Sequence, residues 1–161
     1  QDHGTELWLY NGYGLGRLGD PQLGYRQMAW RVFDIGGRGE GFWSFGDTSG
    51  APTSWDEYNA AKPTFAPAFL GKDTVNNSIH WDAVREGVED FEELSMLAEA
   101  IKKSNNPTLK SQAQKVLDDA VKIVDSNAGA NDKYQWPEKT DPTVVDAQLA
   151  KVRTMLVKMD G

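Results

Sequence analysis

Residues 77–97, NSIHWDAVREGVEDFEELSML, carry the start and continuation signals of a long helix more completely than any other stretch of this chain. Ser78 is placed to cap it, because a hydroxyl just ahead of a helix accepts from the first unpaired backbone N–H groups. Asp82 puts negative charge into the first turn, where the helix dipole favours it. Val84, Val88, Phe91, Ala98 and Ile101 recur at helical spacing, and Ser104-Asn105-Asn106-Pro107 stops the run. A helix over residues 78–103 is therefore expected, with that apolar series turned toward a core.

The remaining chain sets limits on what the helix can belong to. Its 161 residues suffice for one ordinary domain with a real core, and fall short of a complete (β/α)8 barrel of roughly 200 residues or more. A net charge of −7 argues against a nucleic-acid partner, since phosphate favours basic surfaces. No window is apolar for long enough to span a membrane. No apolar leader opens the sequence, as expected of a mature, truncated or cytosolic chain. Cysteine is absent, which removes disulfides and thiolate metal sites, and His3 and His80 lack a ligand spacing. Neither a metal nor a cofactor is expected.

Composition shifts near residue 104. Ahead of it lie every Trp but Trp136 and most of the Gly; beyond it come helix formers with alternating charge. Residues 6–10, ELWLY, form a short apolar run that reads as a buried strand, followed by a glycine-dense loop over residues 11–19. Asp20-Pro21 opens a helix to about residue 35, with Tyr25, Met28, Ala29 and Val32 on one face and Gly36-Gly37 at its end. Residues 41–45, GFWSF, read as a second strand. Strand, loop, helix, strand predicts a parallel βαβ unit with a right-handed crossover. Residues 46–77 form a long connection, with a short helix expected over 55–60 and an extended piece over 64–70. Two further amphipathic helices are expected, over residues 108–126 and from Asp141-Pro142 onward, separated by a polar stretch over 127–139.

Within the long helix, residues 85–94 (REGVEDFEEL) resemble the REG-x-EDYE-x-L helix of a carbohydrate-active group typified by glycoside hydrolase family 123 and the glycoside-hydrolase-like domain of unknown function 4091. Three more pieces follow the same order across residues 6–103. The strand Leu7-Trp8-Leu9-Tyr10-Asn11 is similar to a W-x-Y strand, Arg26 and Trp30 to an R-x-x-x-W pattern, and Gly41-Phe42-Trp43-Ser44-Phe45 to a closing G-x-L-x-W strand. The resemblance implies an α/β fold: a C-terminal fragment of a (β/α)8 TIM-like barrel, namely its last two parallel strands over residues 1–103, followed by a helical extension over 104–161. It implies a glycan substrate, an N-acetylhexosaminidase-like parent, and a secreted or periplasmic location. The group's Asp-Glu catalytic couple has no counterpart at a strand end here, so this chain alone is expected to be inactive. The open sheet edge is expected to be covered by the upstream part of the same barrel or by a homo-oligomer.

Residues at the C-terminal ends of barrel strands face the active site. On that rule the sugar-facing residues are Tyr10, Asn11 and Tyr13 after the first strand, and Trp43, Asp47 and Trp55 after the second. Aromatic rings offer a face to sugar C–H groups, and short polar side chains meet hydroxyls. The alternative weighed for the tryptophans is core filling, which is expected for Trp8 inside its strand. Asp47 in Gly46-Asp47-Thr48 suits a turn better than a role in orienting a hydroxyl, and Glu40 is placed ahead of the second strand as a stability residue. Arg85 and Glu89, four apart, suit a surface pair, and Arg26 is placed to meet one of the acids of residues 86–93. Two other readings need no catalysis: a stand-alone glycan-binding module or helical scaffold, and a helical fragment whose acidic face meets a basic partner.

Overall fold

The computed structural model describes residues 4–11, 20–48, 50–56, 66–125 and 141–160. Strand β1 (Trp8–Asn11) leads to a π-helical turn, Gln22–Arg26, which runs directly into α1 (Gln27–Asp34). Strand β2 (Gly39–Phe42) follows, then a small hairpin of β3 (Phe69–Leu70) and β4 (Val75–Asn76), and three long helices: α2 (Ile79–Lys103), α3 (Pro107–Asp125) and α4 (Pro142–Asp160).

The helix ends are where the sequence placed them. Ser78 Oγ accepts from the backbone N–H groups of His80 and Trp81, and also donates to the Pro67 carbonyl, so one hydroxyl both caps α2 and holds the preceding segment. Asn106 and Asp141 accept from backbone N–H groups at the starts of α3 and α4. Gly36 ends α1 at φ +67°, a conformation that a side chain strains. The Gly37 N–H reaches the Val32 carbonyl at 2.8 Å and the Gly36 N–H reaches Phe33 at 3.1 Å, the paired bonds of a Schellman motif. Arg38 N–H then bonds the Leu7 carbonyl, and β2 is launched alongside β1.

The buried stripe of α2 is His80, Ala83, Gly87, Asp90, Leu94, Leu97 and Ile101, which alternates steps of three and four. This is rotated from the apolar series read in the sequence: Val88 is exposed and Val84, Phe91 and Ala98 are only half-buried. The rotation has a specific cause. Asp90 Oδ2 accepts from Arg26 Nε at 2.6 Å and from Trp30 Nε1 at 2.8 Å, and all three side chains are buried. Arg26 Nη1 also meets Asp146 of α4 at 2.8 Å. Desolvation pushes the Asp90 carboxyl up, against the opposing pull of the Arg26 and Trp30 hydrogen bonds. Gly87 sits one turn earlier, where an added Cβ would lie 2.7 Å from the Arg26 carbonyl oxygen and 3.0 Å from its Cα.

The largest apolar core joins Trp30 to Leu94, Leu97 and Ile101 of α2, the Ala113–Leu117–Ala120–Val124 stripe of α3 and the Val145–Leu149–Val152–Met155 stripe of α4. The face read in the sequence for α1, Tyr25, Met28, Ala29 and Val32, is the buried one. Gln148, buried on α4, donates to the Val116 carbonyl at 2.7 Å, and Arg153 grips Glu93 with two nitrogens.

Strands β1 and β2 pair in parallel with Trp8 opposite Gly39 and Asn11 opposite Phe42, the side-by-side arrangement expected of ELWLY and GFWSF, though β2 starts and ends earlier than residues 41–45. The expected fold class is nevertheless wrong. The chain is not a fragment of a (β/α)8 barrel: among the described residues the sheets are two pairs of short strands, and the molecule is mainly helical. Strands of four residues bury too little to organise the molecule, whereas α2, α3 and α4 bury apolar stripes against one another along much of their length. The helices after residue 104 thus share a core with α2 and Trp30. No described helix is long and apolar enough to cross a membrane.

Gly87→Ala should destabilise the chain by about 1–3 kcal/mol in urea melts, although alanine in an ordinary helix gains about 1 kcal/mol over glycine. Unchanged or higher stability would show that Arg26 does not approach α2 so closely. Asp90→Ala, which strands a buried guanidinium, should cost about 3–5 kcal/mol, while Arg85→Ala, from the exposed pair with Glu89, should stay within about 0.5 kcal/mol. Equal losses in the two variants would contradict this ranking.

Candidate functional site

Four of the six residues expected to face sugar can be placed as side chains. Tyr10 is 61% exposed, Trp43 60% and Trp55 55%, and Asp47 is half-buried. Asn11 closes β1 opposite Phe42. Tyr13 lies outside the described residues, as does most of the short helix expected over 55–60. Tyr10 and Trp43 belong to the C-terminal ends of two adjacent parallel strands, because Tyr10 is in register with Gly41 and Trp43 follows two residues later. Gly41 leaves the room that the Tyr10 ring uses: a Cβ there would come within 3.2 Å of it. The Trp43–Ser44 peptide bond is cis.

The segment leaving β2 is pinned by backbone bonds rather than by its aromatic rings. Ala68 N–H bonds the Phe45 carbonyl at 3.1 Å, and Gly46 forms a parallel bridge with Ala68. Ser54, fully buried, is the joint: its N–H bonds the Leu70 carbonyl at 2.7 Å, its hydroxyl donates to the Asp47 carbonyl at 2.8 Å, and the same oxygen accepts from Leu70 N–H at 2.9 Å. Trp55, next in sequence, stacks on Phe69 with ring centroids 4.5 Å apart. Phe45 meets Trp81, in the first turn of α2, edge to face at 5.1 Å. Because the capping hydroxyl of Ser78 holds Pro67, the start of α2 is fastened to the same segment. Phe45, Trp55 and Trp81 thus lie on one fastened segment, Tyr10 and Trp43 stand at the strand ends, and all five rings are exposed.

Sequence reasoning missed Ser54, Phe45 and Trp81 as parts of this end. A serine between Thr and Trp gives no sign of the long-range bonds it makes, and Trp81 reads only as a first-turn helix residue. Trp8, expected in a core, is 62% exposed and lies over Gly39. Its ring occupies the space that Gly39, without a side chain, leaves open.

The acids beside the aromatic end are Asp47 and Asp56, and Asp56 accepts a hydroxyl hydrogen bond from Thr53 at 2.8 Å. Such an arrangement can bind and orient hydroxyl-bearing ligands. The carboxyl held near neutrality lies elsewhere. Glu40, within β2 rather than ahead of it, is pushed up to about 7 by burial, and its Oε2 has no hydrogen-bond partner among the described residues. It faces an open cleft of about 370 Å3 whose walls include Trp8, Val32, Val88 and Phe91. No group of three or more His, Asp or Glu placed to hold a metal ion occurs among the described residues. Comparison of the chain with family models, with curated proteins and with solved structures found no match.

The Glu40 carboxyl releases its proton near pH 7 in the folded chain and near its ordinary 4.5 in the unfolded chain. Between those values the folded state holds the extra proton, so Glu40's contribution to stability is full below about pH 4.5 and is lost as pH rises through 7. In Glu40→Gln, chemical denaturation at pH 5 and pH 8 should show this decline reduced by on the order of 2 kcal/mol. An unaltered decline would place the carboxylate in water.

Proposed function

We propose that this chain is the glycan-contacting portion of a carbohydrate-active, glycoside-hydrolase-like protein, binding sugar across Tyr10, Trp43 and Trp55 without supplying the catalytic acids itself. The observation that carries the reading is the exposure of those three rings, Tyr10 and Trp43 at the C-terminal ends of β1 and β2 and Trp55 on the segment that Ser54 ties to Leu70 and Asp47. Exposed apolar patches of this kind mark interaction sites. Rings of Trp and Tyr beside short polar side chains suit ligands that present alternating C–H and hydroxyl faces. Rigid placement also lowers the ordering cost of binding.

The resemblance in sequence adds support of a different kind. Its R-x-x-x-W and REG-x-ED pieces lie about sixty residues apart, yet Arg26 and Trp30 both bond Asp90 and Gly87 makes room for the Arg26 backbone. Four separate likenesses thus reduce to fewer independent ones, but the two strongest belong to a single packed unit. A secreted or periplasmic setting accords with this reading. The competing reading is a scaffold without a glycan ligand, favoured by the helical core through α2, α3 and α4.

Titration with chitin-derived, cellulose-derived and mannan-derived oligosaccharides, followed by tryptophan fluorescence and calorimetry, separates the two. At least one series should bind, and Trp43→Ala and Trp55→Ala should each weaken it three- to tenfold, or about 0.5–1.5 kcal/mol. Aryl N-acetylhexosaminides should not be turned over. Absence of binding to every series at millimolar concentration would reject the glycan reading in favour of the scaffold, and robust turnover would reject the placement of the acids.

A further inference from the structure

At the opposite end of the ribbon from the exposed aromatics of residues 43–55, the structure holds a second unassigned feature. Glu40 turns a carboxyl into the space between β2 and the helices α1 and α2, where Oε2 is shut off from solvent and bonded to nothing among the described residues. A buried carboxylate without a partner is among the costlier arrangements a protein can keep. Two charged side chains edge the cleft, Arg38 just ahead of β2 and Glu92 on α2. Both are exposed, and no ion pair joins Arg38 to Glu40 among the described residues.

We propose that this cleft is a docking site for an extended segment of a partner polypeptide bearing a lysine or arginine, whose charged head pairs with Glu40 and whose aliphatic stem lies against Val32, Val88 and Phe91. Three observations choose this occupant. The cleft combines apolar walls with one deep acid, and a basic side chain combines an apolar stem with one charged tip. Its volume of about 370 Å3 admits a side chain together with part of the backbone that carries it. In the two-stranded ribbon each strand has an edge with no strand paired to it among the described residues, so extended backbone can add beside the cleft. Charge complementarity acts at long range as well, since the chain carries −7. This site is separate from the one argued for glycans and does not depend on it.

The probe is the strand-forming pentapeptide acetyl-Thr-Val-Lys-Val-Thr-amide, compared with its norleucine analogue, in NMR titrations of the whole chain at pH 7.5. The lysine peptide should give saturable shifts at Glu40, Val88 and Phe91 and bind at least tenfold more tightly than the norleucine peptide. Glu40→Gln should weaken the lysine peptide about tenfold and leave the norleucine peptide unchanged. Val88→Arg, at an exposed position that should leave folding intact, places a guanidinium at the rim of the cleft and should abolish binding. In the wild type, the Glu40 titration midpoint read from its side-chain carboxyl resonance should fall when the lysine peptide is bound. Equal affinity for both peptides, shifts confined to the exposed acids Glu86 and Glu89, or no shift at millimolar peptide would each overturn the proposal.

Discussion

The structure turns on a single buried carboxylate. Asp90 receives Arg26 and Trp30 of α1's lead-in and body, and Arg26 reaches on to Asp146, so three helical elements meet at one charge. Burying such a group without partners would be prohibitive, and burying it with them makes the partners obligatory. That obligation fixes the rotation of α2 about its own axis. Once Asp90 points at Arg26, Leu94, Leu97 and Ile101 are carried toward α3 and α4, and Val88 is carried toward solvent. A single ion pair is weak evidence of net stability. As a determinant of register it is strong, because a turn of one residue would strand both charges.

From this lock the ribbon inherits its position. Tyr25, next to Arg26 in sequence, stands between Phe42 of β2 and His80 of α2, edge to face with both. Residues 25–30 therefore fasten the end of β2, the body of α2 and the helical core within two turns of backbone. The segment leaving β2 is then fastened by the Ser54 and Ser78 hydroxyls and the Ala68 N–H, and Ser78 is itself the cap of α2. Exposed rings on such a support lose little conformational freedom on meeting a ligand, which is the condition that lets stacking contribute to affinity.

Much of this was legible in the sequence, and the failures have physical causes. Ser78 and Asp141-Pro142 announce helix starts because capping is local chemistry, and the structure begins α2 and α4 at those points, while Asn106-Pro107, read as a stop, also opens α3. The parallel pairing of β1 and β2 followed from strand, loop, helix, strand. The buried stripe of α2 did not, since hydrophobic periodicity counts side chains by oiliness, and this stripe is built on His80, Gly87 and Asp90. The barrel expectation failed for a related reason: two correct strands were taken to imply a larger sheet, while the apolar mass of residues 94–155 lay in helices. Of the expected sugar-facing residues, Tyr10, Trp43 and Trp55 are exposed. Their supports were invisible, because Ser54 acts across sixteen residues and nothing local marks it.

The two ends of the ribbon pose opposite physical problems, and the contrast orders the rest of the surface. At the strand ends the exposed groups are rings, which water tolerates. At the strand starts the unsatisfied group is a carboxyl, which tolerates burial only by holding a proton or by meeting a cation. Asp90 and Glu40 are thus the same chemical group in two states of completion. Both are raised by desolvation, but Asp90 has its cation built in, and none meets Glu40 among the described residues. A chain that resolves one buried acid so fully has the means to resolve the other, and Arg38 stands close by without doing so. Among the described residues Glu40 thus remains the acid whose buried oxygen meets neither a donor nor a cation, where Asp90 meets both.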